Sequence, residues 1–268
     1  MYNFDKLQAQ TIIESIISEI NNFKKIKINK KSYSTVFLPS PIEVDYGNYF
    51  KKIVKSSMKL GFNRFHIDVG DGKFINRVLN VENKVKYIKE AGKLNKVHVH
   101  LMTLNPHHGK EKSFINIYAN LGADKIGIHR KSITNKREIN DAISMIRKTK
   151  KEPGIFLEVD ELIDETLLKT LKHQNIKWVV LMGVPVGFGG QFFNEQILFK
   201  VISLRKFALK EKINLKIEVD GGLDRDNIIM CKKFGVDYLA GWSLVKSSSL
   251  NSYKKNINLV RNKLQNAK

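Results

Sequence analysis

Eight short apolar runs, each followed by a stretch long enough for an amphipathic helix, succeed one another from residue 34 onward, and this alternation constrains the fold more than any other feature. The candidate strands are Ser34–Pro39, Arg64–Val69, Lys96–Met102, Lys125–His129, Gly154–Glu158, Trp178–Met182, Lys216–Asp220 and Asp237–Gly241. Helix-length stretches such as Tyr49–Leu60, Lys136–Thr149 and Glu195–Lys210 lie between them. Eight strand–helix units in this span predict an α/β fold, a (β/α)8 TIM barrel over residues 34–268. An open doubly wound sheet is the alternative, and it is disfavoured because no glycine-rich dinucleotide fingerprint follows the first strand. "LGAD" (Leu121–Asp124) and "FGVD" (Phe234–Asp237) each set a Gly after a helical run and before a strand, the position where a helix stops in a left-handed residue.

Residues 1–33 do not share that pattern. Ile12, Ile13, Ile16, Ile17 and Ile20 recur on one helical face and a basic run follows, which predicts an N-terminal helical extension packed on the barrel or on a second subunit. Asp5, Glu14 and Glu19 fall where a secretion signal needs bases and an apolar run, and no stretch reaches the roughly 18 apolar residues of a membrane span. One cysteine, Cys231, cannot form an internal disulfide. These features predict a cytoplasmic protein without a membrane span, and we expect a homo-oligomer. The formal charge of +21 raises the question of nucleic acid, but the lysines are spread along the whole chain among Asn and Ile. A general compositional bias explains them better than a binding stripe, so no specific nucleic-acid partner is expected.

The chemistry gathers at strand ends. His66 and Asp68 are two apart in "RFHIDVGDG" and point to one side of a strand, while Phe65, Ile67 and Val69 point to the other. His98 and His100 repeat the spacing, and Asp220 closes "KIEVD" before Gly221 and Gly222. An imidazole and a carboxylate inside a barrel are costly without a purpose, and the C-terminal ends of barrel strands are where such enzymes keep their chemistry. Two histidines and two carboxylates converging there suit a divalent metal such as Zn, Fe or Mn, and two carboxylates suit a two-base proton transfer. Glycine-rich turns follow the last three strands: Gly187, Gly189 and Gly190 in "VGFGGQ", then Gly221 and Gly222, then Gly241 in "AGWS". Such turns after the seventh and eighth strands commonly take a phosphate.

In order, "LPSPIEVDY", "HIDVGDGKF", "VHLM", "GFGGQ", "EVDGG" with Asn227 downstream, and "FGVDYLAG" resemble the ribulose-phosphate 3-epimerase family over about residues 34–245. The resemblance implies a carbohydrate epimerase, an isomerase of pentose phosphate metabolism, with one divalent metal ion on His66, Asp68, His100 and Asp220. It implies Asp68 and Asp220 as the paired bases that invert C3 of a phosphorylated ketose, of the ribulose 5-phosphate and xylulose 5-phosphate type, through a cis-enediolate. It implies contact with the sugar phosphate at Ser40, His100, Gly187, Phe188, Gly189, Gly190, Gly221, Gly222, Gly241 and Trp242.

The chain departs from the family's pattern at its pocket walls. Gly70 stands in place of a Met, "HRKS" in place of "HVEA", "LEVDE" in place of an Asn-Pro segment, Trp242 in place of a phosphate-binding Ser, and Val186 rather than a Pro stands immediately before Gly187. A different ketose phosphate, such as a hexulose 6-phosphate or a precursor of a surface polysaccharide, is therefore the alternative substrate. A non-catalytic basic binding protein on the same scaffold is a further reading, disfavoured because all four ligand positions are kept.

Overall fold

A computed structural model of the chain describes residues 35–41, 43–187 and 190–267, so the expected helix in residues 1–33 lies outside the described residues. The strands are β1 (Val36–Pro39), β2 (Arg64–Asp71), β3 (Val78–Leu79), β4 (Lys96–Met102), β5 (Lys125–His129), β6 (Glu152–Leu157), β7 (Trp178–Met182), β8 (Lys216–Asp220) and β9 (Tyr238–Gly241). The helices are α1 (Asn48–Lys59), α2 (Glu82–Ala91), α3 (Phe114–Asn120), α4 (Ile139–Lys148), α5 (Glu165–His173), α6 (Ile197–Lys210), α7 (Asn227–Lys233) and α8 (Leu250–Asn266).

Eight of the strands run parallel in the order β1-β9-β8-β7-β6-β5-β4-β2, and β3 adds a short antiparallel hairpin to β2. The two ends of that order, β1 and β2, lie side by side, which curls the sheet into the (β/α)8 barrel.

Side-chain alternation divides the barrel into an outer and an inner layer. Odd-numbered residues such as Phe65, Ile67, Val97, Val99, Ile217 and Val219 face the helices and join one large apolar cluster with Ile53, Val85, Ile143 and Leu171. A separate inner cluster holds Phe156, Trp178, Val180 and Met182. A Cβ on Gly127 would lie 2.0 Å from the Phe156 ring, and one on Gly154 would lie 2.1 Å from Trp178, so the inner aromatics exist because neighbouring strands carry glycine opposite them.

The two helix-to-strand turns are built alike. Gly122 and Gly235 hold φ of +94° and +87°, the left-handed conformation a helix stop uses. The following aspartates then act on the preceding strand: Asp124 Oδ2 accepts the Val97 N–H, and Asp237 Oδ2 accepts the Ile217 N–H, each at 2.9 Å. Lys89 and Lys96 pair with Asp124, and Arg205 and Lys216 with Asp237. These anchors sit at the strands' starting ends and fix the register that carries His100 and Asp220 to the opposite end.

Candidate functional site

The parallel register sets His66 beside His98 and Asp68 beside His100, while Asp220 lies beside Met182 and Ala240. Because inward positions alternate, His66, Asp68, His100 and Asp220 converge inside the barrel mouth. His100 Nδ1 is 2.8 Å from Asp68 Oδ1 and 3.3 Å from Asp220 Oδ2; His66 Nε2 is 3.2 Å and 3.4 Å from the same two oxygens. All four ligand atoms lie within 4.8 Å of one another, and all four residues are buried. Ser40, at the end of β1, donates its hydroxyl to Asp68 Oδ2 at 2.8 Å.

Electrostatics follow from that convergence. Burial opposes a charge on His66, but Asp220 and Asp68 outweigh it and hold the imidazole pKa well above its ordinary value. His100 is raised for the same reason, by its bonds with Asp220 and Asp68 against the cost of burial. Burial would push Asp68 upward, yet the adjacent imidazoles hold its carboxyl well below the usual carboxylate range. The group thus favours cationic charge at its centre, whether as protons on the imidazoles or as one metal ion. Two imidazole nitrogens and two carboxylate oxygens are a donor set that fits Zn, Fe or Mn.

Beneath these four lies a residue that the spacing argument passed over. Glu218, fully buried, receives His66 Nδ1 at 2.7 Å, His98 Nδ1 at 2.9 Å and Trp178 Nε1 at 2.9 Å. Burial disfavours its charge, and the imidazoles of His98 and His66 outweigh that and hold the carboxyl well below its ordinary range. With its proton on Nδ1, His66 turns a free Nε2 lone pair into the centre. Glu218 stands two residues before Asp220, the same spacing that singled out His66 with Asp68, so the signal was present in "KIEVD". His129, also unassigned from the sequence, ends β5 with Nε2 at 2.6 Å from His100 Nε2. Burial, together with His100, pushes its pKa well below the ordinary value. Phe156 stacks on His100 at 3.9 Å between ring centroids.

Above the four converging residues opens a cavity of about 270 Å³. Of the residues expected to touch a sugar phosphate, Ser40, His100, Gly187, Gly190, Gly221, Gly222, Gly241 and Trp242 line it. Phe188 and Gly189 lie outside the described residues. The Gly221–Gly222 turn is held by Asn227, whose amide donates to the Gly222 carbonyl at 3.1 Å. Arg77 and Leu79, from the β2–β3 hairpin, and Lys246, paired with Glu43 at 2.6 Å, also line the wall.

A second group of donors lies apart, where His107 Nε2 and His108 Nε2 both approach Glu138 Oε2, at 2.9 and 3.0 Å. Bonds from His108, His107 and Asn135 pull the Glu138 carboxyl down to about 2. His107 Nδ1 is buried without a partner among the described residues, so a metal on Nε2 would strand a buried N–H; the group reads as a hydrogen-bonded clasp between two loops.

Comparison with known proteins agrees with this geometry. A family model described as the ribulose-phosphate 3 epimerase family matches residues 37–245. The chain is 28% identical over 229 residues to a ribulose-phosphate 3-epimerase of Bacillus subtilis, covering 83% of this chain and 96% of that protein. It is 29% identical over 239 residues to the protein of the same name from Chlamydia pneumoniae, covering 87% and 96%. In fold it is similar to KGPDC from Streptococcus mutans, with a TM-score of 0.58 at 11% identity, covering 87% of this chain and 98% of that one. It is likewise similar to a mutant tryptophan synthase alpha-subunit from Pyrococcus furiosus, with a TM-score of 0.62 at 12% identity, covering 86% and 99%.

Proposed function

The chain belongs to the ribulose-phosphate 3-epimerase family, and on that premise we propose that it is a metal-dependent carbohydrate epimerase that inverts C3 of a ketose phosphate, using Asp68 and Asp220 as its two bases. The observation that carries this reading is the convergence of those two carboxylates with two imidazoles at the floor of a glycine-lined cavity. His66, Asp68, His100 and Asp220 would hold one divalent cation, which would offset the negative charge that develops on the sugar's oxygens when C3 loses its proton.

The protein's own groups do the rest. One aspartate takes the C3 proton to its carboxylate, and the other gives a proton to the opposite face of the planar enediolate, so that C3 is inverted and no net proton is consumed. Asp68 rises from β2 and Asp220 from β8, strands separated by β1 and β9, so a sugar lying across the mouth can turn one face to each. Ser40 orients Asp68, and Glu218 orients His66. The glycine turns at Gly187 and Gly190 and at Gly222 would let backbone N–H groups come close to the phosphate, while the Gly221 N–H is already donated to the Ala240 carbonyl.

The substrate that fits first is ribulose 5-phosphate with xylulose 5-phosphate as product. A different ketose phosphate, such as a hexulose 6-phosphate, is the second reading, since Trp242 and Arg77 enter the cavity wall and alter its shape. Incubating the purified, metal-loaded protein with each ketose phosphate in deuterated water tests both readings. The first predicts conversion of ribulose 5-phosphate into xylulose 5-phosphate that carries deuterium at C3, and loss of that conversion in Asp220→Asn. Exchange confined to a hexulose 6-phosphate supports the second, and exchange into none of the panel overturns both.

A further inference from the structure

We propose that His129 and Glu158 act as a positioning pair that fixes the proton of His100 on Nε2 and so directs its Nδ1 lone pair into the site. The inference rests on the reading above that His100 ligates a divalent cation.

His100 faces two ways. Its Nδ1 looks to Asp68 and Asp220, and its Nε2 lies 2.6 Å from His129 Nε2. Two imidazole nitrogens at that distance share one proton. If His129 supplies it, His100 accepts on Nε2 and must carry its own proton on Nδ1, where it blocks ligation. If His100 supplies it, Nδ1 is free for a cation, and His129 must then keep its own proton on Nδ1.

That second arrangement needs an acceptor for the His129 Nδ1–H. The atom is buried with no hydrogen-bond partner among the described residues, and the carboxylate facing it is that of Glu158, with Oε1 at 3.6 Å. A shift of a few tenths of an ångström converts the approach into a charge-assisted hydrogen bond. A buried N–H left without an acceptor is costly, so Glu158 favours the arrangement that frees His100 Nδ1.

Packing opposes the other ring orientation. Phe156 lies over His100 at 3.9 Å and 11°, in the space that Gly127 leaves, so turning the imidazole to exchange its two nitrogens would drive it against the Phe156 ring. His66 receives the equivalent service directly, from Glu218 on its Nδ1. Both imidazoles of the site thus end on an outer carboxylate, one at first hand and one through a second imidazole.

The test measures Zn²⁺ affinity by competition with a chromophoric chelator, and the visible spectrum of the Co²⁺-loaded protein, in the wild type, His129→Leu, His129→Gln, Glu158→Gln and the double variant His129→Gln/Glu158→Gln. His129→Leu should bind Zn²⁺ roughly 10–100-fold more weakly with unchanged stoichiometry at saturation, and its Co²⁺ spectrum should change. His129→Gln should recover most of the affinity, because its amide oxygen accepts from His100 Nε2 without needing an outer carboxylate. Glu158→Gln should weaken binding when His129 is present and have no effect in His129→Gln.

Wild-type affinity in His129→Leu, or an equal effect of Glu158→Gln in both backgrounds, overturns the inference and leaves the ligand assignment standing. A wild-type protein that binds no divalent cation overturns both. Should His129→Leu fail to fold, the glutamine variants alone decide the matter.

Discussion

Ser40 Oγ donates to Asp68 Oδ2 at 2.8 Å, across the junction of β1 and β2 where the barrel closes. The bond divides the work of the carboxylate: Oδ2 is held by the hydroxyl, and Oδ1 is left to His66 and His100. Ser40 was expected to touch the sugar, and its position on the cavity wall permits that too. Its donor, however, is already committed to the base.

Ser40→Ala should therefore act on proton transfer. One hydrogen bond to a charged group corresponds to about 1.5–3 kcal/mol, so kcat should fall by roughly ten- to a hundredfold while bound metal stays at wild-type stoichiometry. Steady-state kinetics with metal analysis on the same sample decides the point. A rise in KM with kcat unchanged would place the hydroxyl on the substrate instead.

Glu218 serves three N–H donors with two oxygens, from His66, His98 and Trp178. In Glu218→Gln one of those oxygens becomes an NH₂ group facing a donor, and a histidine must change tautomer or the contact must open. If His66 yields, its Nε2 is protonated and metal affinity should drop about 10–100-fold. Stability should fall by about 1–3 kcal/mol, the cost of a buried unsatisfied group. Calorimetry of the metal-free variant and a Zn²⁺ titration separate the two effects.

The sequence carried the fold because each strand is short, apolar and bounded: the candidate runs Lys125–His129, Trp178–Met182 and Lys216–Asp220 coincide with β5, β7 and β8 residue for residue. It carried the convergence of His66, Asp68, His100 and Asp220 because alternation along one strand is a local property. Glu218 and His129 were harder to see, since their partners stand on other strands, 152 residues away for His66–Glu218 and 29 for His100–His129, and only the register brings them together. The two-residue strand β3 has no periodicity to detect.

Gly70 illustrates a departure that the structure explains. A Cβ there would stand 2.5 Å from the Arg77 carbonyl and 2.9 Å from Ile75 Cδ1, so the β2–β3 hairpin folds over a position that only glycine can fill. Gly70→Ala should push that hairpin outward, with Arg77 and Leu79 of the cavity wall. We expect a loss of about 1–3 kcal/mol in stability and a rise in KM larger than the fall in kcat. Chemical denaturation and steady-state kinetics measure both; an unchanged KM would mean that the hairpin does not shape the substrate site.

Cys231 is fully buried in α7, and burial raises its thiol from 9.0 to about 12. The native protein should therefore not react with a disulfide reagent at pH 8, and one thiol per chain should appear on denaturation. The raised value also means that the folded state holds this proton more tightly. Its contribution to stability is complete below pH 9 and is lost as pH rises toward 12. Fast labelling of the folded protein would show that α7 opens locally.

Trp242 is 7% exposed, lines the cavity, and belongs to the outer apolar cluster, with its ring 5.9 Å from that of Tyr253. The resemblance read from the sequence implies a phosphate-binding serine at this position, and on that reading Trp242→Ser would supply a compact phosphate site with a hydroxyl donor. Packing adds an opposing effect. Removing the indole leaves a cavity beside Tyr253, and large-to-small changes of this kind cost about 3–5 kcal/mol. Ser243, one residue along, also lines the cavity but donates its hydroxyl to the Leu223 carbonyl at 3.2 Å, so it is already engaged. We therefore expect Trp242→Ser to melt at a lower temperature while its KM for ribulose 5-phosphate falls, if the indole is what limits the phosphate. Trp242→Phe, which keeps most of the packing and adds no donor, should retain stability without the gain. Thermal melts and KM values for the three proteins check this, and a KM for Trp242→Ser equal to the wild type would assign the indole to packing alone.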